Sequence, residues 1–419
     1  MNTDFSQLGI DSHFIKCLEE RHIANATDIQ KKVIPVLSSG KSVFFSSATG
    51  TGKTFAYLLP LLQKLKEEFS RQDVKGIRRE TSILIIAPTL ELCTQIKGEL
   101  DFLLAETDVS CALVIGSVNL ERQIENLRKN KPDIIVGNPN RLLVLAKKKI
   151  IKLNNIKALV LDEADRLVSD EMTDDTNELC QMVKRFAGGK QKNENKLVIT
   201  ACSATMNKKC IEKLFSILDT SDIQFIESED NEILREKIEH WAIFSEKRRK
   251  DQTLRSLLAA LKGMIKKSKV KTLIFTSKGD EAALILSKLQ FHHVAAAGLF
   301  GKSGKKPVSS AERKAALDSF RKGSVDALIS TDLAARGLDV AGITHVVALD
   351  VPSDSEVYIH RCGRTGRAGK RGTMITIGDE TQMRLLAAME KKLKIKVYPK
   401  ELHYGEILAP DQVLEKSDE

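Results

Sequence analysis

The sequence predicts an α/β protein of two lobes, each a parallel sheet covered by helices. Three observations carry that prediction. Short, continuously apolar segments recur along the chain, amphipathic stretches separate them, and the alternation pauses once near the middle at a polar, acidic run. A strand buried on both faces of a parallel sheet has no solvent side, so it reads as an unbroken apolar run.

In chain order, the expected strands of the first lobe are Ser42–Phe45, Ile83–Ala87, Cys111–Ile115, Asp133–Val136, Ala158–Leu161 and Leu197–Thr200. Stretches with helical periodicity, such as Thr54–Phe69 and Glu91–Leu104, lie between them. The pattern pauses over Glu227–Glu239, where Ser228-Glu229-Asp230-Asn231-Glu232 reads as a linker. It resumes with His240–Phe244, Thr272–Phe275, Ala327–Ser330, His345–Ala348 and Met374–Ile377, followed by a helical segment over Met383–Leu393. The expected division is 1–228 for the first lobe, 229–239 for the linker, 240–395 for the second lobe and 396–419 for a short polar C-terminal segment.

Composition narrows the classes. With 419 residues, 42% hydrophobic and 29% charged, the chain can bury two cores and reads as a soluble protein. No apolar run approaches membrane-spanning length, and the opening Met-Asn-Thr-Asp-Phe lacks an export signal. The seven cysteines are dispersed without a CxxC pair, which points to free thiols in a reducing cytoplasm. The histidines lack metal-ligand spacing. A net charge of +10 suits a polyanionic partner, though a lysine-rich surface alone would give the same number. An aromatic content of 5% argues against binding dominated by stacked bases.

Two motifs carry chemistry. Ser47-Ala48-Thr49-Gly50-Thr51-Gly52-Lys53-Thr54 follows one apolar strand and opens a helix, and it departs from GxxxxGK[ST] only at Ser47. Gly50 and Gly52 let the backbone curl so that its N–H groups converge, and the helix adds the positive end of its dipole. Lys53 is placed to reach the β- and γ-phosphates and Thr54 to ligate Mg²⁺. Asp162, Glu163 and Asp165 end a second apolar strand, where one carboxylate can hold the metal and its neighbour can take a proton from water. Together these are the equipment of a nucleoside triphosphatase.

Asp162-Glu163-Ala164-Asp165, Ser203-Ala204-Thr205, Thr331-Asp332-Leu333-Ala334-Ala335-Arg336-Gly337-Leu338-Asp339 and His360-Arg361-Cys362-Gly363-Arg364-Thr365-Gly366-Arg367 strongly resemble the DEAD-box family of ATP-dependent RNA helicases. The resemblance runs from about Phe5 to Ile377 in the family's own order. It implies two tandem RecA-like lobes of the P-loop NTPase type, with ATP and Mg²⁺ as cofactors. It implies that ATP hydrolysis is coupled to local RNA duplex unwinding or ribonucleoprotein remodelling; the alternative is an RNA clamp or scaffold with little unwinding. Gln30 resembles the adenine reader, and Phe5 the aromatic that packs near the base. Arg364 and Arg367, three apart and so on one face of a helix, resemble arginine fingers, and Asp339 resembles a ribose or phosphate contact. Asp165, Ser203, Thr205 and His360 resemble residues that couple nucleotide to RNA. Thr89, Gly116, Arg141, Phe275, Arg313 and Thr331 resemble RNA contacts, mainly to the backbone and with low sequence specificity. Around them Leu90, Ser117, Asn138, Asn140 and Ser310 depart from the family pattern, and Ile23, Ala26 and Asp28 do so near Gln30. Lys302–Val308 is an insertion of about five residues relative to that pattern. The expected setting is a cytoplasmic monomer, off the membrane, with ribosomal or ribonucleoprotein partners.

Overall fold

Most strands of the first half are followed by a helix that returns the chain to the edge where the strand began, as parallel pairing requires. The computed structural model describes residues 4–47, 51–71, 80–187, 197–204, 206, 208–218, 223–227, 237–264, 270–303, 306–335, 340, 342–366 and 371–417. They form two compact units, one comprising Met1–Ser47 and Thr51–Ser228, the other Glu229–Glu419. The acidic run Ser228–Glu232 lies outside the described residues.

The first unit holds a seven-stranded parallel sheet: β1 (Ser42–Ser46), β2 (Ile83–Ile86), β3 (Cys111–Val114), β4 (Ile134–Gly137), β5 (Ala158–Asp162), β6 (Val198–Ser203) and β7 (Ile223–Glu227). Their spatial order is β3-β4-β2-β5-β6-β1-β7. Neighbouring residues on a strand serve opposite faces. Phe45, Ile85 and Val160 therefore join one apolar cluster, and Phe44, Leu84 and Leu159 the other. β7 is an addition to the expected set. It is an edge strand, largely exposed, and its Ile-Gln-Phe-Ile-Glu sequence lacks the continuous apolar signature of an inner strand.

The second unit is built on β8 (Ile238–Phe244), β9 (Thr272–Thr276), β10 (Ala296–Leu299), a two-stranded hairpin of β11 (Lys302–Ser303) and β12 (Lys306–Pro307), β13 (Ala327–Thr331), β14 (His345–Ala348), β15 (Gly372–Gly378), β16 (Val397–His403) and β17 (Glu406–Leu408). Eight of these form one sheet in the order β10-β13-β9-β14-β15-β8-β16-β17, parallel apart from the β16/β17 pair. β10 is Ala-Ala-Gly-Leu, too small to announce itself as a strand. A Cβ on Gly298 would lie 2.4 Å from the Phe300 ring, so glycine is needed for that close approach. The insertion Lys302–Val308 contains the hairpin. The polar segment after residue 396 adds β16 and β17 to the sheet, with β17 at its edge, and both strands are half-exposed and so tolerate polar side chains.

His345 opens β14 and is 7% exposed, with its Nδ1 2.8 Å from the Thr344 hydroxyl. Burial pushes its pKa down to about 4. The folded ring stays neutral while the unfolded one binds a proton below about pH 6.5, so this contribution is complete above pH 6.5 and is lost as pH falls toward 4. Urea titrations across that window should show His345 contributing a loss of up to about 3 kcal/mol. His345→Asn, which cannot protonate, should flatten that part of the profile; an unchanged profile would remove His345 as its source.

Candidate active site

All strands of a parallel sheet end at one edge, and loops leaving that edge are where ligands bind in open α/β sheets. β5, β6 and β1 are consecutive in the first sheet, so the loops after Asp162, Ser203 and Ser46 emerge side by side. The Ser47 N–H donates to the Ser203 carbonyl at 3.1 Å. Ala48, Thr49 and Gly50 lie outside the described residues. The Ser47 and Thr51 hydroxyls are 2.6 Å apart, so the serine at the loop's first position ties its two limbs together. Lys53 begins the helix Lys53–Arg71, and its ammonium donates back to the Ser47 carbonyl at 2.7 Å. Thr54 is half-buried on the same first turn.

Gly52 has φ +88°, and a Cβ there would sit 2.3 Å from Gln30 Nε2. That nitrogen donates to the Gly52 carbonyl at 3.1 Å, while Gln30 Oε1 accepts from the Thr27 N–H at 2.9 Å. The amide likened to an adenine reader is therefore anchored to the loop and fixed in orientation. Phe5 differs from the expectation. Its ring is 1% exposed inside the apolar cluster that includes Ile29 and Val33, so it supports the region from beneath and has no open face for a base.

The acidic motif is held firmly. Asp162 ends β5 and is buried. Its Oδ2 accepts from the Tyr57 hydroxyl at 2.8 Å; its Oδ1 accepts from the Glu163 N–H at 2.9 Å and the Cys202 thiol at 3.2 Å. Burial pushes both Tyr57 and Cys202 well above their ordinary pKa values, so both remain protonated donors. Glu163 takes the left-handed conformation, φ +50°, which costs a non-glycine residue roughly 1–2 kcal/mol and turns the strand into the short helix Ala164–Leu167. Burial pushes the Lys53 pKa down, while Asp162, Glu163 and Asp165 pull it back up. Ser203 is buried at the end of β6, and Thr205 lies outside the described residues.

The residues likened to RNA contacts occupy the other half of the same edge. Thr89 follows β2 and caps the helix Leu90–Leu103, its hydroxyl accepting from the Leu92 N–H at 3.2 Å. Gly116 follows β3. Arg141, on the helix Pro139–Lys147 after β4, donates to the carbonyls of Gly116 at 2.8 Å and Val118 at 3.0 Å. Its guanidinium is thus committed to bracing that loop in this conformation.

In the second unit, Phe275 lies on β9 at 2% exposure, with the Arg361 guanidinium 5.3 Å over its ring. It is a support for Arg361 and has no exposed surface to offer a nucleotide. Thr331 ends β13, half-buried, its hydroxyl accepting from the Ala334 N–H at 3.4 Å. Arg313 is half-buried on the helix Ser310–Lys322. His360 and Arg364 are both buried. The expectation that Arg364 and Arg367 share a helix face does not hold. The helix Ser355–Cys362 stops before Gly363, Arg364 sits in the turn that follows, and Gly366 has φ +68°. Two glycines in four residues favour that turn over helix. The Thr365 hydroxyl pins it by donating to the Ile343 carbonyl at 2.7 Å. Arg367 and Asp339 lie outside the described residues.

Tyr57, Cys202 and the ion cluster of Arg361 were missed by the sequence reading. Tyr57 lies one helical turn beyond Lys53, and that i+4 spacing was the available signal. Cys202 is opposite Asp162 in the β5/β6 register, which no local pattern encodes. Arg361, 1% exposed, forms a two-bond pair with Asp332 at 2.7 and 2.8 Å and also donates to the Asp350 carbonyl at 2.7 Å.

A DEAD/DEAH box helicase family model matches residues 27–214, and a helicase conserved C-terminal domain model matches residues 249–369. The chain is 33% identical to the DEAD-box ATP-dependent RNA helicase CshC of Bacillus cereus, over 92% of this chain and 90% of that protein. It is 31% identical to CshA of Bacillus subtilis, over 95% of this chain and 74% of that protein. Among solved structures, Dbp5 of S. cerevisiae shares the fold with a TM-score of 0.79 at 24% identity, covering 99% of this chain and 98% of that one. Mss116p does so with a TM-score of 0.82 at 24% identity, covering 99% and 82%. With both halves matched in order and relatives such as CshC 33% identical over 92% of this chain, the chain belongs to the DEAD-box ATP-dependent RNA helicases, enzymes that hydrolyse ATP and act on RNA.

Proposed function

We propose that ATP binds at the carboxyl edge of the first sheet, with its phosphates in the loop Ser47–Thr54 and its adenine against Gln30, and that hydrolysis drives local separation of RNA duplexes. What supports this is the cluster at one strand edge of a half-buried ammonium, Lys53, with the carboxylates of Asp162, Glu163 and Asp165 around it. A triphosphate with its counterion suits such a site, because its charge offsets the dehydration of Lys53.

The donor set fits Mg²⁺. The Thr54 hydroxyl and the carboxylates of Asp162 and Glu163 are hard oxygen ligands, and Mg²⁺ in phosphoryl-transfer sites takes few protein ligands beside water and phosphate. When bound, the ion neutralises charge on the β- and γ-phosphates. Glu163, held at its unusual φ beside Asp162, serves as the general base for the attacking water. Arg364 and Arg367 stabilise charge on the γ-phosphate in the ATP- and RNA-loaded state, and Asp339 contacts the nucleotide. Asp165, Ser203, Thr205 and His360 couple nucleotide to RNA. Thr89, Gly116, Arg141, Arg313 and Thr331 hold the RNA backbone through hydroxyl, N–H and guanidinium groups, with Phe275 acting from beneath. The solved relative bound to single-stranded RNA and AMP-PNP supports this pairing of ligands. The same reading gives a monomer acting on ribonucleoprotein complexes in the cytoplasm.

Glu163→Gln should bind nucleotide within a few-fold of wild type and lose about a hundredfold or more of RNA-stimulated turnover. Retained hydrolysis would remove Glu163 as the base. Gly52→Ala must accommodate both φ +88° and the 2.3 Å approach to Gln30 Nε2. A fluorescent ATP analogue should bind it about tenfold or more weakly, a loss of roughly 1.4 kcal/mol. Gln30→Ala in the same chain should not restore that loss, since it relieves the contact but keeps the backbone strain and removes the amide proposed to meet adenine. Wild-type affinity in Gly52→Ala would contradict the loop's role in gripping phosphate.

A further inference from the structure

Asp162 has three donors on its two oxygens, and two of them are side chains from different elements. The Tyr57 hydroxyl comes from the helix that starts at Lys53, at 2.8 Å; the Cys202 thiol comes from β6, one residue before Ser203, at 3.2 Å. Both side chains are fully buried. A hydroxyl or thiol in an apolar interior needs a partner, and these two share one. The terminal torsion of an aspartate is otherwise broad and roughly two-fold, so an unbraced carboxylate would sample many orientations. Donors on both oxygens remove that freedom, and hydrogen bonds to an ionised acceptor are the stronger kind.

We propose that Tyr57 and Cys202 are positioning residues that aim the Asp162 carboxylate at the metal–nucleotide complex. Tyr57 ties the carboxylate to the helix bearing Lys53 and Thr54, so the phosphate-binding turn and the acidic strand keep one spacing. Cys202 ties it to the strand that ends at Ser203. The Glu163 backbone N–H, which every substitution at that position except proline preserves, and the Lys53 ammonium also lie around the carboxylate. Among the described residues, the side chains that hydrogen-bond to it are Tyr57 and Cys202. This inference depends on the reading that Asp162 serves the metal-bound nucleotide, and the experiment separates the two.

The full-length chain is titrated with a fluorescent ATP analogue, first without metal and then with increasing Mg²⁺, and each variant is checked by thermal melting. Asp162→Asn should abolish the tightening that Mg²⁺ produces. Tyr57→Phe and Cys202→Ala should each raise the Mg²⁺ concentration at half-effect by roughly tenfold, with metal-free affinity unchanged. Cys202→Ser, whose hydroxyl can donate to the same oxygen, should remain near wild type. Should Tyr57→Phe fail to fold, the contrast between Cys202→Ala and Cys202→Ser still decides. A wild-type Mg²⁺ midpoint in Tyr57→Phe and Cys202→Ala, with Asp162→Asn impaired, overturns the inference alone. Equal weakening with and without metal also overturns it, because that is a packing effect. Unaltered Mg²⁺ dependence in Asp162→Asn overturns the underlying reading and the inference together.

Discussion

A dehydrated ammonium has to stay charged at the carboxyl edge of the first sheet, and much of the surrounding architecture follows from that. Burial lowers the Lys53 pKa, and the carboxylates at the end of β5 oppose the shift. Those carboxylates are themselves costly to enclose without hydrogen bonds. Asp162 meets that cost with three donors, and two of them bind it to neighbouring elements. Lys53 meets its own by donating to the Ser47 carbonyl at 2.7 Å, which ties the helix start to the residue after β1. The strained Glu163 backbone belongs to the same arrangement: a strand that continued straight would carry its carboxylate past the site. The charged groups hold Ser47, the helix start and two strand ends in one geometry.

The second unit meets a comparable constraint with the opposite charge balance. Arg361 is 1% exposed and is held by Asp332, after β13, and Asp350, after β14. Burial alone would lower its pKa, but the two carboxylates outweigh that and raise it; burial in turn pushes Asp350 up. Breaking one partner of such a buried cluster typically costs about 3–5 kcal/mol, because the other charge is stranded. The cluster ties the helix Ser355–Cys362 to two strand ends, and the turn bearing Arg364 leaves directly from that helix. Arg361 is thus a strut under the arginine-rich turn, and its Phe275 platform belongs to the strut.

How legible this was depends on the range of the interaction. Inner strands were readable because burial on both faces forces continuous apolar runs, as in Ile83–Ile86 and Ala158–Leu161. β7, β10 and β16 were not: β7 and β16 keep polar residues on a solvated side, and β10 is small to fit under Phe300. The loop and the acidic motif were readable because their chemistry demands fixed residue types at fixed local spacing. The Tyr57 and Cys202 contacts lie 105 and 40 residues from Asp162 in sequence, so they come from register and helix packing, which no local pattern carries. The turn after Cys362 was misread as helix for a related reason. Three-residue spacing between arginines is compatible with a helix, but Gly363 and Gly366 lower the cost of leaving one.

Sheet order adds a last constraint. β5 lies between β2, which leads to Thr89, and β6, which leads to Ser203. Within this unit the residues proposed for RNA follow β3, β4 and β2, those proposed for nucleotide follow β5 and β1, and those proposed to couple the two follow β6, so the acidic strand forms the boundary between the RNA set and the rest along one edge. Adjacent strands are only about 4.8 Å apart and close-packed on both faces, which leaves little slack for one to shift alone. On the proposed reading, a ligand that reorients Asp162 acts on a strand whose two neighbours lead to residues proposed for different roles. On that reading, coupling between ATP and RNA within this unit needs no long relay, because the topology already makes the strands that lead to the two proposed sets adjacent. Differential affinity for two positions of one strand edge is enough to shift the population between them.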